Sequence, residues 1–103
     1  PVGALDAVTS ALGGVRVAGW AADPDLPATP VEVHVYVDGR GSAVLAAGDV
    51  RADVAAATAF GPSHGFSAPV PTPPGPHTVC AYAVSPEPGE SNTLLGCRAV
   101  VAG

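Results

Sequence analysis

The chain has 103 residues, 48% of them hydrophobic and 13% charged, enough for one folded domain with a modest core and too apolar for an intrinsically disordered segment. Four arginines against nine acidic residues give a net charge of −5, and the arginines are scattered. Nucleic acid and anionic membranes call for clustered basic side chains and are excluded as main partners. No apolar run approaches the ~20 residues of a membrane-spanning helix, and no charged start followed by an apolar stretch marks a signal peptide. Alanine and valine supply most of the apolar content, while isoleucine, methionine, lysine and glutamine are absent, a bias that points to GC-rich codons.

In chain order, "GALDAVTSA" reads as a weak first strand and "GVRVAGWA" as a second, ended by the turn "DPDLPATP". Trp20 is out of phase with Val15 and Val17. We expect Gly19 to let the strand slip by one residue and carry Trp20 into the core, because the chain has few other large side chains to bury. The segment "VEVHVYVDG" alternates strictly, with Val31, Val33, Val35 and Val37 on one face and Glu32, His34 and Tyr36 on the other. Asp38-Gly39 is a hairpin-turn signal, and "SAVLAA" is the next strand. "RADVAAATAF" favours one or two turns of helix, with Asp53 near the positive end of the helix dipole. "GFSAPV" follows as a strand with Phe66, Ala68 and Val70 in phase, and "PTPPGP" is a rigid connection. "HTVCAYAVS" and "TLLGCRAVV" are the last two strands, joined by "PEPGESN".

The two cysteines, Cys80 and Cys97, fall on those last strands. A charged Arg98 is expected to face water and so turn its neighbours Cys97 and Ala99 inward. Pairing with Cys97 would then turn Cys80, Tyr82 and Val84 inward too. Directly opposed Cα atoms in an antiparallel pair lie ~4.5–5.5 Å apart, within reach of a disulfide. The alternative is two free core thiols. A disulfide in a small domain rich in proline and glycine implies an exported protein. Short strands at this spacing indicate an all-β fold, an immunoglobulin-like antiparallel β-sandwich of about seven strands with one short helical turn and one disulfide. A small barrel is the structural alternative. Residues 1–103 read as a single β-sandwich module, and the ends "PVG" and "VAG" read as linker stubs, so we expect a longer secreted protein whose targeting segment lies elsewhere.

The motifs "GWAADPD", "VHVYVDG", "RADV", "HGF", "PHTVCAYAV" and "LLGC" occur in an order that resembles the extracellular Ig-like β-sandwich repeat modules of secreted, cell-wall-associated proteins of high-GC Gram-positive bacteria. The resemblance spans about residues 13 to 98. It implies an accessory module, accompanying peptidoglycan- or polysaccharide-active domains, and supplies no activity of its own. Ala52 stands where that pattern has proline, which weakens the start of the short helix.

Catalysis has little to stand on. Ser63 and His64 are adjacent in sequence, which does not align a nucleophile with its base, and no G-x-S-x-G elbow is present. His34, His64 and His77 lack ligand spacing for zinc. Asp23 and Asp25 offer two oxygens to calcium, with Asp38 or Asp49 as further donors, but calcium takes six to eight oxygens. Asp23 capping its own turn is the reading we adopt, with no metal or other cofactor. His64 is expected to bond a loop carbonyl, with Gly65 supplying an unusual backbone angle. Arg51 and Asp53 are assigned local surface interactions at the helix start. The candidate binding surface is Glu32, His34 and Tyr36, with Trp20 as a second stacking residue should its indole face water.

The expectation is a non-catalytic accessory, spacer or interaction module whose partners are neighbouring domains of the same chain. The alternatives are a carbohydrate-binding module for wall polysaccharide, with Trp20 and Tyr36 stacking on sugars, and a protein-adhesion module that pairs with an extracellular protein at a sheet edge.

Overall fold

The computed structural model describes residues 1–58 and 60–103. Among the described residues the chain forms eight strands and one helix: β1 (Val2–Ala11), β2 (Gly14–Ala22), β3 (Val31–Val37), β4 (Arg40–Ala47), β5 (Asp49–Val50), α1 (Ala52–Ala57), β6 (Ser63–Pro71), β7 (Gly75–Val84) and β8 (Thr93–Ala102). Two antiparallel four-stranded sheets pack face to face, one in the order β1-β2-β6-β5 and the other β4-β3-β7-β8. That is the strand order of an immunoglobulin-like sandwich. The strand beyond the expected seven is β5, only two residues long.

Alternation builds the core. Val31, Val33, Val35 and Val37 of β3 are buried, as are Val15 and Val17 of β2, Phe66 and Val70 of β6, and Val79, Ala81 and Ala83 of β7. Leu5 of β1 closes one edge, beside β8. The β3–β4 hairpin turns on two residues of positive φ, Asp38 at 51° and Gly39 at 80°, with Val37 paired to Arg40 across it. Two such residues match the twist of the flanking strands. The helix expected over Arg51–Phe60 is realised as α1, with Asp53 in its first turn and Val54 buried. Ala59, within that expected stretch, lies outside the described residues.

Trp20 is not in the core. β2 keeps its alternation without a slip, so Val15, Val17, Gly19 and Ala21 face the opposite sheet while Trp20 lies half-buried on the outer face. The irregularity falls on the neighbouring strand instead, where Asp6 bulges between Leu5 and Ala7. Gly19 pairs with Phe66, and a Cβ at Gly19 would come within 2.2 Å of the Ala4 carbonyl and 2.7 Å of the Phe66 ring. The glycine is there to seat the one phenylalanine of the core, and a bulge at Gly19 has no role.

The Cys80–Cys97 disulfide forms across directly paired positions of β7 and β8, with the Cα atoms 4.1 Å apart. Its orientation is opposite to the expected one. Val79, Ala81 and Ala83 hold the inner face of β7, so Cys80, Tyr82 and Val84 are half-buried on the outer face, and Cys97 and Ala99 are exposed. The expectation built on Arg98 fails for a physical reason. Arg98 sits opposite buried Val79, at the edge of the sandwich, where its guanidinium reaches out to donate to the Leu5 carbonyl at 3.1 Å. A long side chain on an edge strand can begin on the core face and still end in water.

Two outcomes follow for stability. Gly19→Ala is expected to lower the urea-unfolding free energy by roughly 1–3 kcal/mol through overpacking against the Ala4 carbonyl and the Phe66 ring; an unchanged midpoint would show that both the β1 backbone and the ring have room to move. Replacing both cysteines by alanine releases a loop with a sequence separation of 17. On the chain-entropy model that removes about 3 kcal/mol, measured in the same way.

Candidate functional site

The register of the second sheet lines up its outer side chains in rows. Val44 of β4 pairs with His34 of β3, His34 with Tyr82 of β7, and Tyr82 with Leu94 of β8, so one row crosses all four strands. In the next row Gly41, Tyr36, Cys80 and Cys97 succeed one another. Tyr36 and Tyr82 are diagonal neighbours and meet edge to face, ring centres 5.5 Å apart at 84°. This is the favoured geometry for the charge distribution of two aromatic rings. Glu32 and His34 share the face and form a hydrogen bond of 3.1 Å. A shallow depression of about 450 Å³ is lined by His34, Tyr36, Cys80, Tyr82, Val84 and Asn92 among others. Around it the apolar side chains stay open, with Val44 63% and Leu94 52% exposed.

Glu32, His34 and Tyr36 are therefore brought together as expected. Trp20 is not with them, because it lies on the outer face of the other sheet, between Ala4 and Gly65 in register. Trp20 and Tyr36 cannot clasp one ligand from opposite sides of the sandwich. Tyr82, assigned inward from sequence, takes the place beside Tyr36.

The Trp20 face is organised by Arg51. Its guanidinium bonds Asp53 through two nitrogens, Asp6 at 2.8 Å and the Gly19 carbonyl at 3.3 Å. The β1 bulge aims Asp6 at it. Hydrogen bonding to Arg51 holds the Asp53 carboxyl down at about 2, and the two carboxylates keep the arginine charged. The Arg51 stem fills the space over Gly65 that a Cβ would occupy. Gly65 is thus selected for space, and its backbone is not in the left-handed region.

Two histidines serve as fasteners. His64 is buried, as its loop role requires, and its Nε2–H is shared between the carbonyls of Pro27 at 2.7 Å and Phe60 at 2.8 Å. Sequence spacing marks His77 only as a poor zinc ligand, yet it closes the end of the sandwich at the β3–β4 turn. Its Nδ1 meets the Asp38 carboxylate at 2.5 Å and its Nε2 meets the Pro73 carbonyl at 2.8 Å. Both partners are acceptors, so both ring nitrogens must carry protons for both bonds to form. The hydrogen bond to Asp38 accordingly raises His77 above the ordinary histidine value, and the same bond lowers Asp38.

At the other end, Asp23 caps its own turn as expected, accepting the Asp25 N–H at 3.0 Å through Oδ1. What lies across from it has no signal in the local sequence. Glu87 and Glu90, in the β7–β8 loop, place carboxylate oxygens within 4.8 Å of those of Asp23 and Asp25. Asp38 and Asp49, the further donors expected from sequence, are not in that group. Burial, then the adjoining Asp23 carboxyl and the nearby negative charges, push the Glu87 carboxyl up to about 7.

Compared with protein-family models, with curated proteins and with solved structures, the chain has no match in any of the three.

The His77–Asp38 bond has a pH signature. A raised histidine contributes stability fully below its ordinary value of 6.5 and loses it as pH rises through the folded value. Asp38, lowered from 3.8, adds stability that disappears when pH falls below that value. The Tm advantage of the parent over His77→Gln is expected to be full below the ordinary histidine value of 6.5 and to shrink as pH rises above it through the raised folded value. Taking the difference cancels the contribution of Glu87. A Tm difference that stays flat with pH would show that His77 does not carry the charge.

Proposed function

We propose that the chain is a non-catalytic accessory module of a secreted, wall-associated protein, one that spaces its neighbours and docks through the outer face of the β4-β3-β7-β8 sheet. The observation that carries this reading is the row Val44–His34–Tyr82–Leu94 across four strands, with Val44 and Leu94 exposed at its ends and His34 and Tyr82 half-buried between them. Soluble monomers seldom expose a contiguous apolar patch without a partner for it. The order of motifs from Gly19 to Cys97 supports placing the module among extracellular wall-associated repeats, and the disulfide fits an oxidising compartment.

The position of the chain ends supports the spacer role. The Pro1 carbonyl accepts a bond from the Thr93 hydroxyl at the start of β8, whereas Gly103 bonds Gly14 at the far end of β1. β1 and β8 run side by side in the same direction. The chain enters and leaves at opposite ends of a body whose longest extent is 39 Å. Modules of this geometry can be joined in series. His64 supports a structural role too, since its Nε2 is committed to two carbonyls.

Carbohydrate binding is the second reading, and the depression beside Tyr36 and Tyr82 favours it. Aromatic rings flanked by His34 and Asn92 combine a stacking surface with polar groups for hydroxyls. Both readings place the contact on one face. Protein adhesion by edge pairing has less support, because nothing distinguishes one sheet edge.

Retention of the purified module on isolated bacterial cell walls tests the proposal. The parent is expected to be retained, and Tyr36→Ala or Leu94→Ser to weaken retention by roughly tenfold, the loss of an interface anchor. Retention that survives protease treatment of the walls identifies a glycan; retention abolished by it identifies a protein partner. No retention, or retention unaffected by either substitution, contradicts the docking face.

A further inference from the structure

The acidic group at the chain-entry end of the sandwich has no partner of opposite charge among the described residues. Asp23 follows β2 in the first sheet and is 1% exposed. Its Oδ1 is used by the Asp25 N–H, but its Oδ2 is buried without a hydrogen-bond partner. Across from it, Oε1 of Glu87 is buried and unpartnered as well. Asp25 and Glu90 complete the set, with one oxygen from each of the four residues within 4.8 Å of the others. A buried polar atom without a partner is costly, and a buried charge more so.

The loop is shaped to hold this arrangement. The Ser85 hydroxyl donates to Glu90 Oε2 at 2.8 Å and accepts the Glu87 N–H at 3.1 Å, while the Asn92 side chain accepts the Ser85 N–H at 3.2 Å. These bonds keep two glutamates pointing at the β2–β3 loop although its acids repel them. A proton on Glu87 would satisfy the contact with Asp23 alone and leave the adjacent negative charges of Asp25 and Glu90 uncompensated. A divalent cation satisfies all four.

We infer that Asp23, Asp25, Glu87 and Glu90 form a calcium site that clips the β2–β3 loop of one sheet to the β7–β8 loop of the other. The donors are all carboxylate oxygens, the set chosen by hard cations, with no histidine or cysteine to favour zinc. Several protein carboxylates on two irregular loops suit the large, flexible shell of calcium; magnesium keeps most of its water and takes one or two. Waters complete the coordination. None of the four carboxylates lines the depression on the docking face.

Calorimetric titration of the chelator-treated protein with calcium chloride at neutral pH tests the site. The parent is expected to bind one ion with Kd of roughly 10⁻⁴–10⁻³ M, the range of extracellular modules. Free calcium at about ten times Kd should lower the unfolding equilibrium constant by roughly tenfold and raise Tm by a few degrees. Asp25→Asn and Glu90→Gln change exposed loop carboxylates and leave the core intact, so both should fold and bind at least about tenfold more weakly. No heat of binding and no Tm change in the folded parent up to ~10 mM calcium overturns the site. Binding that is unchanged in both variants overturns it equally.

Discussion

The fold depends on how little there is to put between its two sheets. The buried side chains between them are almost all valine and alanine, with Leu5 and Phe66 as the large exceptions and Leu45 and Leu95 packed partly buried at the margins. Sheets so lightly filled close tightly, and the body is only 16 Å across in its shortest direction. Close packing then leaves no room for a second large ring. Phe66 fits because Gly19 opposite it has no Cβ. Trp20, Tyr36 and Tyr82 are displaced to the two outer faces as a consequence of the same constraint.

That displacement links stability to function. An outer face made of charged and small residues would be inert, whereas this chain has little charge and carries Trp20 and both tyrosines outside. On the second sheet the tyrosines gather with the disulfide and His34, and the edge strands add Val44 and Leu94. The disulfide is part of this surface and fastens β8 to β7 where few large core side chains can. The first sheet uses its tryptophan differently, beside an arginine already held by two aspartates and a carbonyl. The two faces are unequal, and among the described residues the apolar row lies on the second sheet alone.

How much of this was legible depended on whether a strand was central or at an edge. β3 is central, so its valine alternation and the Asp38-Gly39 signal gave its faces and its turn, and with them the shared face of Glu32, His34 and Tyr36. β8 is an edge strand with an irregularity opposite Ala81–Tyr82, and there the rule that charge marks the wet face failed at Arg98. The disulfide pairing survived that error because partners share a face whichever face it is. Weighing ring size against phase misplaces Trp20, because the space at Gly19 belongs to a ring from β6. His77 and the two loop glutamates gave no local signal at all. Their partners lie tens of residues away, and only the topology brings them near. The immunoglobulin-like order does place the β2–β3 and β7–β8 loops at one end, so the acids of "DPD" and "PEPGE" were readable as neighbours once the fold class was in hand.

The most direct test is the accessibility of the aromatic rings, measured by NMR as the broadening of their proton signals by a soluble paramagnetic probe. Broadening is expected for Trp20, Tyr36 and Tyr82, with Phe66 spared. A Trp20 signal as protected as that of Phe66 would put the indole between the sheets and contradict the thin valine core on which the rest is built.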